Sequence, residues 1–184
     1  MKKLTTEEMG RMSVEEFRES EKIPLTVVLD NVRSLNNIGS VFRTSDAFRV
    51  EHIALCGITA TPPHREIHKT ALGAEVSVEW SYHEDTAACV QELRERGYRV
   101  YAVEIAHNSL RLGADSVDTD SPIAIVLGNE IDGVQESVME LCDGSLEIPQ
   151  YGTKHSLNVS CAAAIVIWEI SKQICQWHSD NEMK

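Results

Sequence analysis

Three short segments of the chain join polar side chains directly to apolar runs. In the first, Asp30-Asn31-Val32-Arg33 leads into Asn36-Asn37-Ile38-Gly39, and Arg43 follows Asn37 by six residues. Asn side chains and a Gly at a strand-to-helix turn suit a ligand-facing loop, because loops past the strand C-termini line the crevice of an α/β sheet. Six residues is close to two helical turns, so Asn37 and Arg43 are expected to share a face. The plainer alternative is that Asn36 or Asn37 caps the helix and Arg43 is a surface ion-pair donor. In the second segment, the apolar run Ile123–Leu127 breaks at Gly128-Asn129-Glu130, with Gly133 five residues after Gly128. Such a turn lets backbone approach a ligand closely. No GK[ST] follows and no GxGxxG is present, which disfavours a P-loop or dinucleotide fold. Glu130 suits either a hydrogen bond to a ligand or a helix N-terminus, where the dipole favours negative charge. In the third, Ser145–Ile148 meets Pro149, crosses a loop with Gly152, and enters an apolar helix near Ser156. Ser156 fits an N-cap. Asn158 is a poor helix former and needs another reason for its place. Lys154 and His155 bring positive charge, and Cys161–Val166 is small and apolar, suiting close backbone packing. Without a GxSxG elbow or a paired acid, a Ser-His hydrolase is excluded.

The elements that must carry these segments alternate. A helix is expected over residues 4–22, with Thr5 and Ser13 as candidate caps. Strands are expected at Leu25–Leu29, His52–Cys56, Val76–Trp80, Arg99–Val103, Ile123–Leu127 and Ser145–Ile148. Helices are expected at Asn37–Phe48, Ile67–Leu72, Asp85–Arg96, Val134–Leu141 and Ser156–Gln176. This order predicts an α/β domain with a mostly parallel six-stranded sheet and helices on both faces. Its expected organisation is a helical extension over 1–24, a core domain over 25–176 and a tail over 177–184.

The chain has 184 residues, enough for one domain with a real core. No apolar run reaches membrane-spanning length, and no apolar signal core follows the first charges. Cys56, Cys89, Cys142, Cys161 and Cys175 are an odd, widely spaced set without a CxxC pair. They are expected to be free, mostly buried thiols in a reducing cytoplasm, and no metal is expected. The formal net charge of −12 is unusual for a nucleic-acid binder. Its distribution is uneven. Residues 31–73 carry five basic side chains against three acidic ones, whereas residues 74–147 carry four against sixteen. An RNA face is therefore local, built from the first segment's surroundings, and its binding is expected to be weak and salt-dependent. Ordinary solvation of exposed helices would give the same asymmetry.

Taken together, Asn37-Ile-Gly-Ser-Val-Phe-Arg43, Ile125-Val-Leu-Gly-Asn-Glu130 with Gly133, and Ile148-Pro-Gln through Ser156-Leu-Asn158-Val-Ser resemble the three motifs of the SpoU (TrmH) family of RNA ribose methyltransferases. Lys69-Thr-Ala-Leu-Gly-Ala-Glu75 also looks like a stretch of that family, and the resemblance runs from about Leu25 to Ile174. It implies a C-terminal trefoil knot, which periodicity does not predict. It implies S-adenosylmethionine held by Gly128, Ile148 and Leu157. Asn37, Arg43, Glu130, Ser156 and Asn158 match the family's catalytic and substrate-positioning set. Arg33, Arg65, Lys69 and Lys154 are the candidate RNA contacts. The resemblance further implies a homodimer with the site at the interface and Arg43 reaching across, acting on a ribose 2′-hydroxyl of tRNA or rRNA. The chain is expected to lack the separate N-terminal RNA-binding domain that some relatives carry, with residues 1–24 a weak, acidic substitute. A silent RNA-binding protein on the same fold, or a methyltransferase for a base or small molecule, are the competing readings. His64 and His68, four apart, are expected to be exposed or RNA-facing, and Trp168 and Trp177 to pack a core or a dimer seam.

Overall fold

In a computed structural model of the chain, residues 2–5, 8, 10–154 and 156–182 are described, with 176–182 described for their backbone alone. His155 and the side chain of Trp177, both singled out above, lie outside this set.

Among the described residues, seven strands form one sheet: β1 (Ile23–Asp30), β2 (Val50–Cys56), β3 (Glu79–His83), β4 (Arg99–Val103), β5 (Leu110–Arg111), β6 (Ile123–Leu127) and β7 (Gly144–Glu147). Their order is β3-β2-β1-β6-β4-β7-β5, and every pairing is parallel. The seventh strand corrects the expected six. β5 is two residues long, too short for any periodic signal, and exists because it pairs with β7.

Side chains alternate along the central strands between two cores. Leu25, Val27 and Leu29 of β1, Ile53 and Leu55 of β2, and Ile123, Ile125 and Leu127 of β6 pack on one side. They meet α1 (Val14–Glu19), α2 (Leu35–Ala47), α3 (Arg65–Ala71), α4 (Ala74–Ser77) and α7 (Val159–Glu182). The intervening residues are smaller. Val28, Ala54, Ala102, Ala124 and Val126 face α5 (Thr86–Glu95) and α6 (Glu136–Met139). Both faces are covered, which is why these strands read as apolar runs rather than as alternating ones.

Several boundaries moved for local reasons. Among the described residues the N-terminal helix covers Val14–Glu19, started by a reciprocal capping box between Ser13 and Glu16. Phe17 anchors it in the main core and the Arg18 guanidinium donates to the Val76 carbonyl at 2.7 Å. The third strand begins at Glu79 rather than Val76, because Gly73, at φ +97°, opens the extra turn α4. The last helix starts at Val159, not Ser156, and continues to Glu182. Of the five cysteines, Cys56 and Cys89 are buried, Cys142 is half-buried, and Cys161 and Cys175 are exposed. The expectation of mostly buried thiols is corrected to that extent.

Gly39 sets the fit of α2 on α3. A Cβ there would lie 2.1 Å from Thr70 Oγ1 and 2.3 Å from the Ile67 carbonyl oxygen. Because a backbone oxygen is one of the obstacles, Gly39→Ala is expected to cost about 1–3 kcal/mol. A thermal midpoint within a degree of wild type would contradict this.

At the sheet edge, His52 Nε2 and His83 Nε2 each lie 2.8 Å from Ser81 Oγ. One hydroxyl proton serves only one of the two rings. Burial, then the charges of His83 and Arg96, push His52 below the ordinary histidine value of 6.5. The unfolded chain therefore takes up this proton at higher pH than the folded one, and stability falls as pH drops through 6.5. Thermal midpoints measured between about pH 5 and 8 should show this slope, and His52→Gln should flatten it. An equal slope in both proteins would exclude His52 as its source.

Candidate functional site

The C-terminal ends of β4, β6 and β7 open into a cleft of about 480 Å³, within the roughly 300–1,000 Å³ of ligand pockets. Val103–Ile105, Leu127–Gly133, Leu146, Ile148 and Gln150 form its walls, closed by Ser156–Val159 and Ala162. Leu127, Ile148 and Leu157 supply apolar surface, and Glu104, Asn129 and Ser156 supply polar groups. Gly128, Ile148 and Leu157 thus line one cleft together with Glu130, Ser156 and Asn158. Asn37, Arg43, Arg33, Arg65, Lys69 and Lys154 are outside its walls.

Gly128 is required by its own loop. A Cβ there would sit 2.0 Å from the Gly133 carbonyl carbon and 2.1 Å from the Val134 nitrogen. The loop closes through paired backbone bonds between Asn129 and Gly133, both 3.1 Å. Asn129 Oδ1 accepts from the amides of Ile131 and Asp132, holding the turn from inside. Gly133 has φ +71° and a Cβ there would meet the Glu104 carboxylate. Glu104 and Asn129 were missed as cleft residues. Asn129 could have been found, since it stands between two residues already singled out. Glu104 left no signal, because only the placing of β4 beside β6 brings it there.

One polar chain ties the three segments together. Asn37 Nδ2 donates to Glu130 Oε1 at 2.9 Å, and Asn158 Nδ2 donates to Asn37 Oδ1 at 3.1 Å. Glu130 also accepts from the backbone amides of Arg33 at 3.2 Å and Ser34 at 3.1 Å. Burial opposes its charge, but the Asn37 bond and these amides outweigh it, and the carboxyl is held below its usual range. Of the two roles open to Glu130, its bonds are those of a charge at a helix entrance, that of α2. Ser34, not Asn36 or Asn37, caps α2. Asn158 Oδ1 accepts from Ser160 N at 2.9 Å and Cys161 N at 3.4 Å, so Asn158 rather than Ser156 caps α7. That is the reason for an Asn at this position.

Asn37 is buried whereas Arg43 is exposed, so the two do not share a face as expected. Six residues is 600° of rotation, about 120° short of two turns. Among the described residues Arg43 has no hydrogen bond or ion pair. Arg33, Arg65, Lys69 and Lys154 are likewise exposed, with Lys69 Nζ 3.6 Å from Glu66. Thr70 Oγ1 donates to the Asn36 carbonyl at 3.0 Å, so α3, with Arg65 and Lys69, is fastened beside the entrance of α2. His64 Nδ1 accepts from the Glu66 amide and caps α3, and His68 pairs with Glu75. Trp168 packs edge-on against Phe48, 5.6 Å between ring centres. No three His, Cys, Asp or Glu side chains among the described residues converge as a metal group, and no helix among them is long and apolar enough to cross a membrane.

Comparison with known proteins bears on this site. The sequence profile of the SpoU rRNA Methylase family matches residues 24–168. A tRNA (guanosine(18)-2′-O)-methyltransferase of Thermus thermophilus is 33% identical over 166 residues, 90% of this chain and 84% of that protein. The crystal structure of the Aquifex aeolicus TrmH/SpoU tRNA modifying enzyme superposes with a TM-score of 0.79 at 27% identity, over 90% of this chain and 82% of that one. The AdoMet-bound rRNA methyltransferase of Sinorhizobium meliloti gives 0.76 at 26% identity, over 85% of this chain and 59% of that one.

Proposed function

The chain belongs to the SpoU rRNA methylase family, and on that premise we propose that it transfers a methyl group from S-adenosylmethionine to a ribose 2′-hydroxyl of tRNA or rRNA. The observation that carries the proposal is convergence. Residues 128–130, 148 and 156–158, far apart in sequence, line one cleft, and Asn37 of the first segment is bonded to two of them.

The cleft suits this cofactor. Leu127, Ile148 and Leu157 offer apolar walls for a purine, while Gln150 and Ser156 offer partners for polar groups. Gly128, Ile148 and Leu157 would hold it. When bound, it supplies an activated methyl group on a sulfonium. The protein's part is to present and polarise the hydroxyl. Arg43 is exposed and has no partner among the described residues. It would grip the adjacent phosphate with its two-pronged fork and stabilise charge developing on the 2′-oxygen. Asn37 and Asn158 hold each other and Glu130 in a fixed arrangement, which supports a role in orienting the ribose. Ser156, on the cleft wall, would contact the substrate there. Arg33, Arg65, Lys69 and Lys154 would hold the flanking backbone.

Arg43 lies outside the cleft of its own chain, which supports a homodimer in which it serves the partner's cleft. Cys161, Ile165 and Trp168, exposed on one face of α7, are candidates for that contact. The trefoil knot and a cytoplasmic setting belong to the same proposal.

The test is incubation with radiolabelled S-adenosylmethionine and separate pools of unmodified tRNA and rRNA. A 2′-O-methyl group blocks alkaline cleavage of the next phosphodiester, so label should appear in alkali-resistant dinucleotides. Label in free bases, or none from either pool despite cofactor binding by calorimetry, would overturn the ribose assignment.

A further inference from the structure

Among the described residues Asp30 is the one buried acidic side chain, 0% exposed at the C-terminal end of β1. All four groups bonded to it donate. Thr86 Oγ1 at 2.7 Å, Asn31 Nδ2 at 2.8 Å and Gln135 Nε2 at 2.7 Å reach Oδ1, and the Gln135 backbone amide reaches Oδ2 at 3.0 Å. Thr86 opens α5, Asn31 begins the turn into the first segment, and Gln135 ends the loop that starts at Gly128. Residues 128–133 of that loop form a wall of the cleft. The loop stem also bonds to Glu104, whose Oε2 accepts from Val134 N at a long 3.4 Å.

We propose that Asp30 is a positioning residue for the cofactor cleft, latching the stem of the Gly128–Gln135 loop to β1 and α5 so that the wall is preformed before ligand arrives. The inference rests on the reading of the cleft as the S-adenosylmethionine site. A preformed wall spares the ligand the cost of ordering it. The latch therefore acts on affinity, while the transferring groups lie elsewhere.

Asp30→Asn separates the two loop bonds. Its amide nitrogen best replaces Oδ2, since three donors converge on Oδ1, so the bond to the Gln135 backbone amide is lost. Thr86→Val is the control, removing the α5 donor and leaving both loop bonds. Asp30→Asn is expected to weaken S-adenosylmethionine binding roughly tenfold or more, the worth of a charge-assisted hydrogen bond at a buried site. Amide hydrogen exchange over 129–135 should speed up without cofactor, and kcat at saturating cofactor should stay within about twofold of wild type. Thr86→Val should lower the thermal midpoint with neither effect. Gln135 is exposed, so Gln135→Ala is the variant to use where Asp30→Asn does not fold, and it should shift affinity and exchange in the same direction. Unchanged affinity and exchange in Asp30→Asn and Gln135→Ala, with wild type binding cofactor, overturns the latch alone. The same affinity loss in Thr86→Val reduces Asp30 to a structural residue and also overturns it. Absence of cofactor binding by wild type overturns the reading of the cleft, and the latch with it.

Discussion

Arg43→Ala is expected to lower methyl transfer by about 10²–10³-fold, the usual loss when one donor to a developing oxyanion is removed. Cofactor affinity and thermal midpoint should be unchanged. The separation follows from its surroundings. Arg43 is exposed on α2, has no partner among the described residues, and is outside the cleft wall. Its side chain makes no contact that holds the described fold, so a loss of activity would report on its part at the substrate rather than on folding. Arg43→Lys should not rescue, because an ammonium cannot reproduce the two-pronged grip on a phosphate. Near-wild-type turnover in Arg43→Lys would exclude that grip.

Gly128→Ala should abolish detectable cofactor binding. The added methyl carbon would overlap the backbone of Gly133 and Val134, atoms of the loop's own return strand. The loop must open to admit it, and residues 128–133 are a wall of the cleft. Calorimetry reads the outcome, and affinity within a few-fold of wild type would show that the wall does not hold the cofactor. The two variants also test the dimer together. One chain keeps the cleft and lacks Arg43, and the other keeps Arg43 and lacks the cleft. If Arg43 serves the partner's site, refolding an equal mixture should recover roughly a quarter of wild-type activity, since half the dimers are mixed and each has one complete site. No recovery, with mixed dimers present, would place Arg43 in the site of its own chain.

Much of the fold was legible in the sequence. β4 and β6 run over the residues expected of them, Arg99–Val103 and Ile123–Leu127, because a strand buried on both faces leaves an apolar run, unbroken in β6 and starting after Arg99 in β4. The half-buried edge strand at 79–83 left a weaker trace, and a Gly at positive φ inserted a helical turn before it. Among site residues, Gly128, Ile148 and Leu157 do line one cleft. The roles around it shifted. Ser156 was given the cap that Asn158 forms, and Glu130, left between ligand and helix entrance, bonds to the entrance of α2. Each of those bonds joins groups whose nearness depends on where a loop folds, which residue type alone does not fix.

The sequence by itself determined the parallel α/β class, the polar breaks after the first, β6 and β7 strands, and the membership that their combination signals. These rest on local rules: burial on two faces sets composition, and turn chemistry sets where Asn, Gly and Ser stand. Only the tertiary structure decided that Asn158 reaches Asn37 across 121 positions and that Asn37 reaches Glu130 across 93. The same holds for Gln135 on Asp30, 105 positions away. The strand order placing β6 between β1 and β4 brings those residues to one end of the sheet. Hydrogen bonds of this kind depend on distances of a few tenths of an ångström between chain segments, and those distances are set by packing.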